Sequence, residues 1–305
     1  VPTRSGWGRM AVSQGLSVAI MAASVKAAKS GISSPRPDGS DNRSFPSGHS
    51  AWAFMGATAV ANELGGTSGW YPFGAYLLAT AVQVERVADR HHYPSDVAAG
   101  AGIGILSTQL GYLLGDIIMG RRGLDNPPTL THPEADVPLL EVSTGLDFVL
   151  GHVRGLRRLP RLHASLRGGV PMSPHWSFVA EAAYYATPLL TYDGSSYTYI
   201  NNLNEVGLAL LPTFTLPLGG RTHLTADAGV GCRLRLGHPG HGIDAAACTP
   251  SGRADVGCLV RLTDTFSARA SVGYELSRYK FSTPAYTTSG AAHALMLAVG
   301  SVCHF

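Results

Sequence analysis

The hydrophobic pattern of this 305-residue chain changes its period near residue 124, and that change limits the fold more than any other feature. Before it, apolar residues form continuous, alanine-rich runs, which predict helices over residues 11–29, 50–63, 71–88 and 96–119. After it, apolar and polar residues alternate, as in strands that bury one face. We therefore predict two domains, an all-α helical bundle followed by an all-β antiparallel barrel of about eight strands.

Residues 123–138 separate the two patterns. This segment contains four prolines, which predicts a linker because proline interrupts both helices and strands. The predicted domains are therefore residues 1–122 and residues 139–305.

The alternation in the second half is regular. Leu224, Ala226 and Leu234 share one face of a predicted strand, whereas Asp227 and Arg233 share the other. Most of the alternating segments contain 10 to 15 residues. The eight segments are residues 140–150, 160–169, 175–187, 203–217, 222–236, 252–262, 266–278 and 292–305.

Eight strands of this length resemble a small outer-membrane β-barrel. Aromatic residues such as Trp176, Tyr184 and Tyr274 lie near predicted strand ends, and Phe305 closes the last strand. A soluble eight-stranded barrel or sandwich would give the same alternation and is the alternative.

The helical half has two long uncharged stretches, residues 65–84 and 97–115. The second is about long enough to cross a bilayer. The second and third predicted helices are short, so we expect buried core helices of a compact bundle. Membrane-spanning helices remain the alternative.

Composition limits the possible partners. Charged residues make up 14% of the chain and the net charge is +3, without the strong basic stripe of a nucleic-acid-binding protein. We therefore expect no nucleic-acid partner. The four cysteines form no Cys-x-x-Cys motif, so zinc and thioredoxin-type sites are not indicated, and their pairing is left open.

Three clusters of chemically active residues lie in the helical half. Each cluster is located at a predicted helix end, where side chains and backbone groups are available. The clusters are Lys29-x6-Arg36-Pro37, Pro46-Ser47-Gly48-His49 and Arg86-x5-His92-x3-Asp96.

Together the clusters predict a phosphate site. Lys29, Arg36 and Arg86 supply cationic donors for the phosphate oxygens. Ser47 and Gly48 precede a helix, so the backbone N–H groups of its first turn can point at an anion.

The two histidines add a reaction to this site. Asp96 can fix one imidazole nitrogen of His92 and leave the other free to attack phosphorus. Water then cleaves the phosphohistidine, with His49 acting first as acid and then as base. This chemistry requires no metal ion, and we expect no cofactor.

The three clusters resemble the motifs of the type 2 phosphatidic acid phosphatase (PAP2) family, which is related to bacterial acid phosphatases and vanadium haloperoxidases. The family pattern is Lys-x6-Arg-Pro, Pro-Ser-Gly-His and Ser-Arg-x5-His-x3-Asp, and all three spacings hold here. The resemblance covers roughly residues 10–120. It implies that His92 is the nucleophile, that Asp96 orients it and that His49 is the general acid. The phosphate, or vanadate in its place, would be held by Lys29, Arg36, Ser47, Gly48 and Arg86.

The sequence departs from the family pattern at two points. Glu85 precedes Arg86 where the family often has serine. Only 28 residues precede Lys29, where family members usually carry further helices, and the chain begins with Val1. We therefore expect that part of the bundle is missing from this sequence.

The fusion to a barrel directs the functional prediction to the Gram-negative cell envelope. We expect metal-independent dephosphorylation of a membrane lipid phosphate, with the barrel in the outer membrane and the phosphatase domain in the periplasm. Candidate substrates are lipid A, phosphatidylglycerol phosphate, phosphatidic acid and undecaprenyl pyrophosphate.

Three other functions remain as alternatives. One is a broad-specificity periplasmic acid phosphatase anchored by the barrel. Another is a vanadate-dependent haloperoxidase, although the gap of eight residues between Pro37 and Pro46 is phosphatase-like. The third is a non-enzymatic barrel acting as an adhesin, porin or assembly protein.

Several other residues have two interpretations each. Asp38, Asp41, Arg43 and Arg90 flank the site and contact either the substrate head group or only solvent, and His91 is expected to be a bystander. Polar loops near residues 188–202 and 237–252 suggest surface binding. The following arginines face either anionic lipid head groups or a solvated rim: Arg154, Arg157, Arg158, Arg161 and Arg167.

Overall fold

The computed structural model describes six stretches of the chain, which divide into two compact units. One unit contains the helices and the other contains most of the barrel, and each is described here by itself. The predicted linker lies outside the described residues except for Pro138. The described residues are 6–120, 138–150, 156–192, 197–236, 246–282 and 287–305.

The described helices confirm the four predicted from the hydrophobic runs. Ser47 caps the second helix by accepting a hydrogen bond from the Ser50 amide at 3.4 Å. Pro94 occupies the first turn of the fourth helix. Proline lacks an N–H group, and N–H groups in the first turn make no hydrogen bond within the helix, so nothing is lost there. The helices are α1 (Trp7–Gly31), α2 (Gly48–Leu64), α3 (Trp70–Ala88) and α4 (Pro94–Ile118).

Glycines on α4 let two other helices approach its backbone closely. A Cβ at Gly104 would lie 2.3 Å from the Ala51 carbonyl oxygen of α2, which is too short for any real contact. A Cβ at Gly111 would lie 2.2 Å from the Ser17 hydroxyl oxygen of α1. Helix α4 therefore packs against both neighbours through backbone contact, as small residues allow.

The outer face of α4 is apolar. Leu106, Leu113 and Ile117 are all exposed, so the prediction of buried core helices holds for only one side of this helix. By length and composition alone, α1 and α4 are each long and apolar enough to cross a membrane.

The second unit is a closed antiparallel β-barrel, as predicted. Strands β1 and β3 to β9 form a ring of eight, which closes where β4 pairs with β5, and the short β2 pairs with β4 beside β3. Ring closure excludes the β-sandwich. The strands are β1 (Leu139–Leu150), β2 (Leu156–Arg158), β3 (Arg161–Ser173), β4 (Trp176–Tyr192), β5 (Tyr197–Pro217), β6 (Thr222–Arg235), β7 (Ala246–Arg261), β8 (Phe266–Ser282) and β9 (Thr287–His304).

Several strands extend beyond their predicted ends. The pairing of β4 with β5 continues, with a register shift after Leu189, to the pair Tyr192 and Tyr197, so most of the predicted loop over 188–202 is strand. Strand β7 likewise begins at Ala246, within the second predicted loop. These predictions were wrong because polar Thr and Tyr residues favour strands as well as loops. Residues 237–245 lie outside the described part of the chain.

The barrel carries its polar face inward and its apolar face outward. On β6, Asp227 and Arg233 are buried, whereas Leu224, Val230 and Leu234 are exposed. A soluble barrel fills its interior with apolar side chains, so this orientation favours the membrane barrel over the soluble one.

The interior of the barrel is filled by ion pairs. Asp227 Oδ2 accepts hydrogen bonds from Arg167 Nη2 at 2.7 Å and from Arg269 Nη2 at 2.6 Å, and Arg161 Nη2 lies 2.6 Å from Asp147 Oδ2. Arg161 and Arg167 are thus buried, and the prediction that they face lipid head groups or a solvated rim was wrong. Both arginines occupy positions of β3 whose side chains point into the barrel, because alternation along the strand, and not charge, sets the direction of a side chain. The side chains of the other three predicted arginines lie outside the described part.

The close contact at Gly104 gives the first prediction. Gly104→Ala lowers the free energy of unfolding by about 1–3 kcal/mol, because α2 and α4 must move apart to admit the methyl group. The matched control is Gly102→Ala, where a Cβ meets no atom within 4 Å. Thermal unfolding in detergent, followed by the helical circular dichroism signal, measures both. Equal stability of the two variants would contradict the packing described.

The outward apolar face gives the second prediction. Val230 is 71% exposed near the middle of β6, so Val230→Arg costs about 2–4 kcal/mol in a bilayer. The control Leu218→Arg, just beyond β5, costs about 0–1 kcal/mol because it lies near the interface. Urea unfolding from phospholipid vesicles measures the difference. Equal and small costs at both positions are the result expected of a soluble barrel.

Candidate active site

The structure brings the three motif clusters together at one end of the helical unit. The Ser47 amide donates to the Asp96 backbone carbonyl at 2.9 Å, which ties the start of α2 to the start of α4. A Cβ at Gly100 would lie 2.3 Å from the Ser47 carbonyl oxygen, so this glycine permits the contact. The Lys29 ammonium at the end of α1 donates to the Arg43 carbonyl at 2.7 Å.

His92 and Asp96 form a buried pair. Both side chains are 3% exposed, and His92 Nδ1 lies 3.8 Å from Asp96 Oδ2. Asp96 Oδ2 also accepts the Tyr93 amide at 2.9 Å, which fixes the carboxylate in the first turn of α4. Because Nδ1 faces the carboxylate, the Nε2 atom of His92 is the nitrogen left for chemistry.

His49 lies in the first turn of α2 and is exposed. Partial burial, followed by the positive charge of Arg86, lowers the pKa of His49 below its ordinary value. Both effects favour the neutral ring of His49. A bound phosphate dianion would oppose the neighbouring charges and favour the protonated form.

Two of the three predicted phosphate-binding cations are paired with carboxylates. Arg36 Nε donates to Asp41 Oδ1 at 2.9 Å, and Arg86 Nη2 donates to Glu85 Oε1 at 2.5 Å with a second bond through Nε. The bond from Arg86 lowers the pKa of Glu85, so this carboxylate is ionised at neutral pH. If phosphate binds these guanidinium groups as predicted, it competes with both carboxylates for them.

Two contacts were not predicted from the sequence. Ser44 is buried, and its hydroxyl donates to Asp96 Oδ2 at 2.5 Å. From the sequence, Glu85 was only a departure from the family pattern. In the structure, both of its carboxylate oxygens accept hydrogen bonds from Arg86, which is predicted to bind phosphate. Spacing alone could not have revealed Ser44, because its contact with Asp96 crosses 52 residues of sequence.

The flanking residues mainly stabilise the loop after α1. Asp38 accepts the Ser40 amide and Asp41 accepts the Arg43 amide, so each carboxylate closes a local turn. Arg90 is exposed. His91 is half-buried, and its side chain interacts electrostatically with Asp38 and Glu85.

The site is suited to an oxyanion. Lys29, Arg36 and Arg86 contribute positive charge, and phosphate or vanadate has the size and charge that such a set binds. Within the described ranges, no group of three or more His, Cys, Asp and Glu side chains is arranged to hold a metal ion.

Comparison with known proteins identifies the helical domain. The PAP2 superfamily profile matches residues 10–117, which contain all the predicted site residues. Residues 10–117 form a PAP2 domain. The match begins within α1 and ends within α4, so it covers the four helices that carry the site.

Two curated relatives match the PAP2 domain. A lipid A 1-phosphatase of Porphyromonas gingivalis is 42% identical over 112 residues, which cover 37% of this chain and 25% of that protein. A probable lipid phosphate phosphatase 4 of Arabidopsis thaliana is 35% identical over 82 residues, covering 23% of this chain and 27% of that protein. The chain thus spans about a quarter of the length of each relative.

The barrel is similar in fold to solved outer-membrane proteins. OprG from Pseudomonas aeruginosa gives a TM-score of 0.40 at 12% identity, with 55% of this chain and 97% of OprG covered. Neisserial surface protein A gives a TM-score of 0.42 at 9% identity, with the same two coverages.

The pairing of Arg86 with Glu85 gives the third prediction. Glu85→Gln releases the guanidinium and removes a negative charge beside the anion, so vanadate should bind about two- to fivefold more tightly. The control is Asp38→Asn, which makes the same charge change nearby but leaves Arg86 paired. Isothermal titration with orthovanadate measures both. Unchanged or weaker binding by Glu85→Gln would contradict the competition described.

Proposed function

We propose that the PAP2 domain hydrolyses the phosphate ester of a cell-envelope lipid through a phosphohistidine intermediate. The observation that carries the proposal is the buried His92–Asp96 pair. This pair lies close enough to His49 to interact with it electrostatically, in a site that also contains three cationic side chains. A nucleophile, an acid and an anion-binding set are the parts that this reaction needs.

In the first step, His92 Nε2 attacks phosphorus and a nitrogen–phosphorus bond forms. The bond between phosphorus and the lipid oxygen breaks, and protonated His49 gives its proton to that oxygen. Lys29, Arg36 and Arg86, together with the amides at the start of α2, stabilise the charge on the remaining phosphate oxygens.

In the second step, water attacks the phosphohistidine. His49, now neutral, accepts a proton from the water as the new oxygen–phosphorus bond forms and the nitrogen–phosphorus bond breaks. Inorganic phosphate leaves, and His92 and His49 return to their starting states. No step in this sequence calls for a metal ion.

Two observations support a lipid substrate. Both curated relatives are named as lipid phosphatases. The apolar outer face of the barrel suits a protein held in a membrane, where lipid head groups are concentrated. We therefore propose a barrel in the outer membrane of a Gram-negative bacterium, a periplasmic PAP2 domain, and lipid A as the first substrate to test.

Phosphate release tests the proposal. We expect the full chain in detergent with EDTA to release phosphate from lipid A, undecaprenyl pyrophosphate, phosphatidylglycerol phosphate or phosphatidic acid. His92→Ala removes the nucleophile and should abolish release. A soluble aryl phosphate in the same panel separates a lipid phosphatase from a broad-specificity acid phosphatase.

The controls separate the alternatives. His91→Ala has a similar change in size beside the nucleophile and should retain activity. No release from any substrate by folded protein would reject the enzyme proposal in favour of a non-enzymatic barrel. Activity that EDTA removes would reject the metal-independent mechanism.

A further inference from the structure

His92 and Asp96 do not make a direct hydrogen bond in this structure. The 3.8 Å between His92 Nδ1 and Asp96 Oδ2 exceeds hydrogen-bond distance, although both side chains are buried. A carboxylate at this distance cannot by itself fix the orientation of the ring. A third group is therefore needed if Asp96 is to orient His92.

The Ser44 hydroxyl occupies the required position. Its oxygen lies 2.5 Å from Asp96 Oδ2 and 3.4 Å from His92 Nδ1, and Ser44 is fully buried. A hydroxyl can donate one hydrogen bond while it accepts another, so it can connect a ring N–H to a carboxylate.

The backbone holds this hydroxyl in place. The Ser44 amide donates to the Ser34 carbonyl at 2.9 Å, and Ser34 forms a β-bridge with Arg43. Asp96 is fixed independently by the Tyr93 amide. Both ends of the connection are therefore anchored to the backbone before a substrate binds.

We propose that Ser44 is a positioning residue that links Asp96 to the nucleophile His92. The Nδ1–H group of His92 donates to Ser44 Oγ, and the Ser44 hydroxyl donates to Asp96. This pattern selects the tautomer whose Nε2 lone pair is free to attack phosphorus. Positive charge that forms on the ring is stabilised by Asp96 through the hydroxyl. The inference rests on the proposed phosphohistidine mechanism, which the wild-type and His92→Ala assays test first.

The experiment compares steady-state kinetics of wild type, Ser44→Ala, Asp96→Asn and the double variant on the preferred lipid. Ser44→Ala should lower kcat about 10- to 100-fold through loss of ring orientation, while KM and vanadate affinity stay unchanged. The double variant should lose no more than Asp96→Asn alone, because both changes break one connection. A purely structural role would not produce this pattern.

The control and a second variant keep the test decisive. Ser17→Ala removes another fully buried hydroxyl, which donates to the backbone carbonyls of Ser13 and Thr108 away from the site, and should leave kcat unchanged. Ser44→Cys keeps the side-chain volume with a weaker donor and should give an intermediate kcat.

Several results would overturn the inference. These are wild-type kcat in Ser44→Ala, multiplicative losses in the double variant, or loss of vanadate binding in both Ser44 variants. The last result would mean that Ser44 is needed to build the site. If the wild type itself releases no phosphate, the proposed function fails instead.

Discussion

Asp96 is the residue on which the geometry of the candidate site depends. Its backbone carbonyl binds the Ser47 amide, and its side chain binds the Tyr93 amide and the Ser44 hydroxyl. A single residue in the first turn of α4 therefore positions the anion-binding turn, its own helix start and the loop after α1. Gly100, one turn further along, keeps α2 close enough for these bonds to form.

In the same region, two carboxylates balance the charge of two arginines that are predicted to bind the anion. Asp41 forms an ion pair with Arg36, and Glu85 forms one with Arg86. Both carboxylates are 44% exposed, so water screens their attraction to the two arginines. We therefore expect a phosphate that binds these arginines to displace both carboxylates.

Sequence reasoning predicted the elements better than the contacts. Hydrophobic periodicity gave four helices and eight strands because burial follows the repeat of each secondary structure. Motif spacing selected His92 over His91, and the structure places His92 beside Asp96. Long-range contacts such as that of Ser44 leave no periodic signal. Arg161 and Arg167 were predicted at the barrel surface because they are charged. Their alternating positions along β3 place them inside the barrel.

The ion pairs inside the barrel limit how the chain can assemble. Asp227 interacts with both Arg167 and Arg269, so this set of ion pairs is complete only when β3, β6 and β8 are all in place. An unpaired charge in hydrocarbon costs several kcal/mol, which makes insertion of single strands unfavourable. We therefore expect strand pairing and insertion into a bilayer to be coupled steps for this barrel.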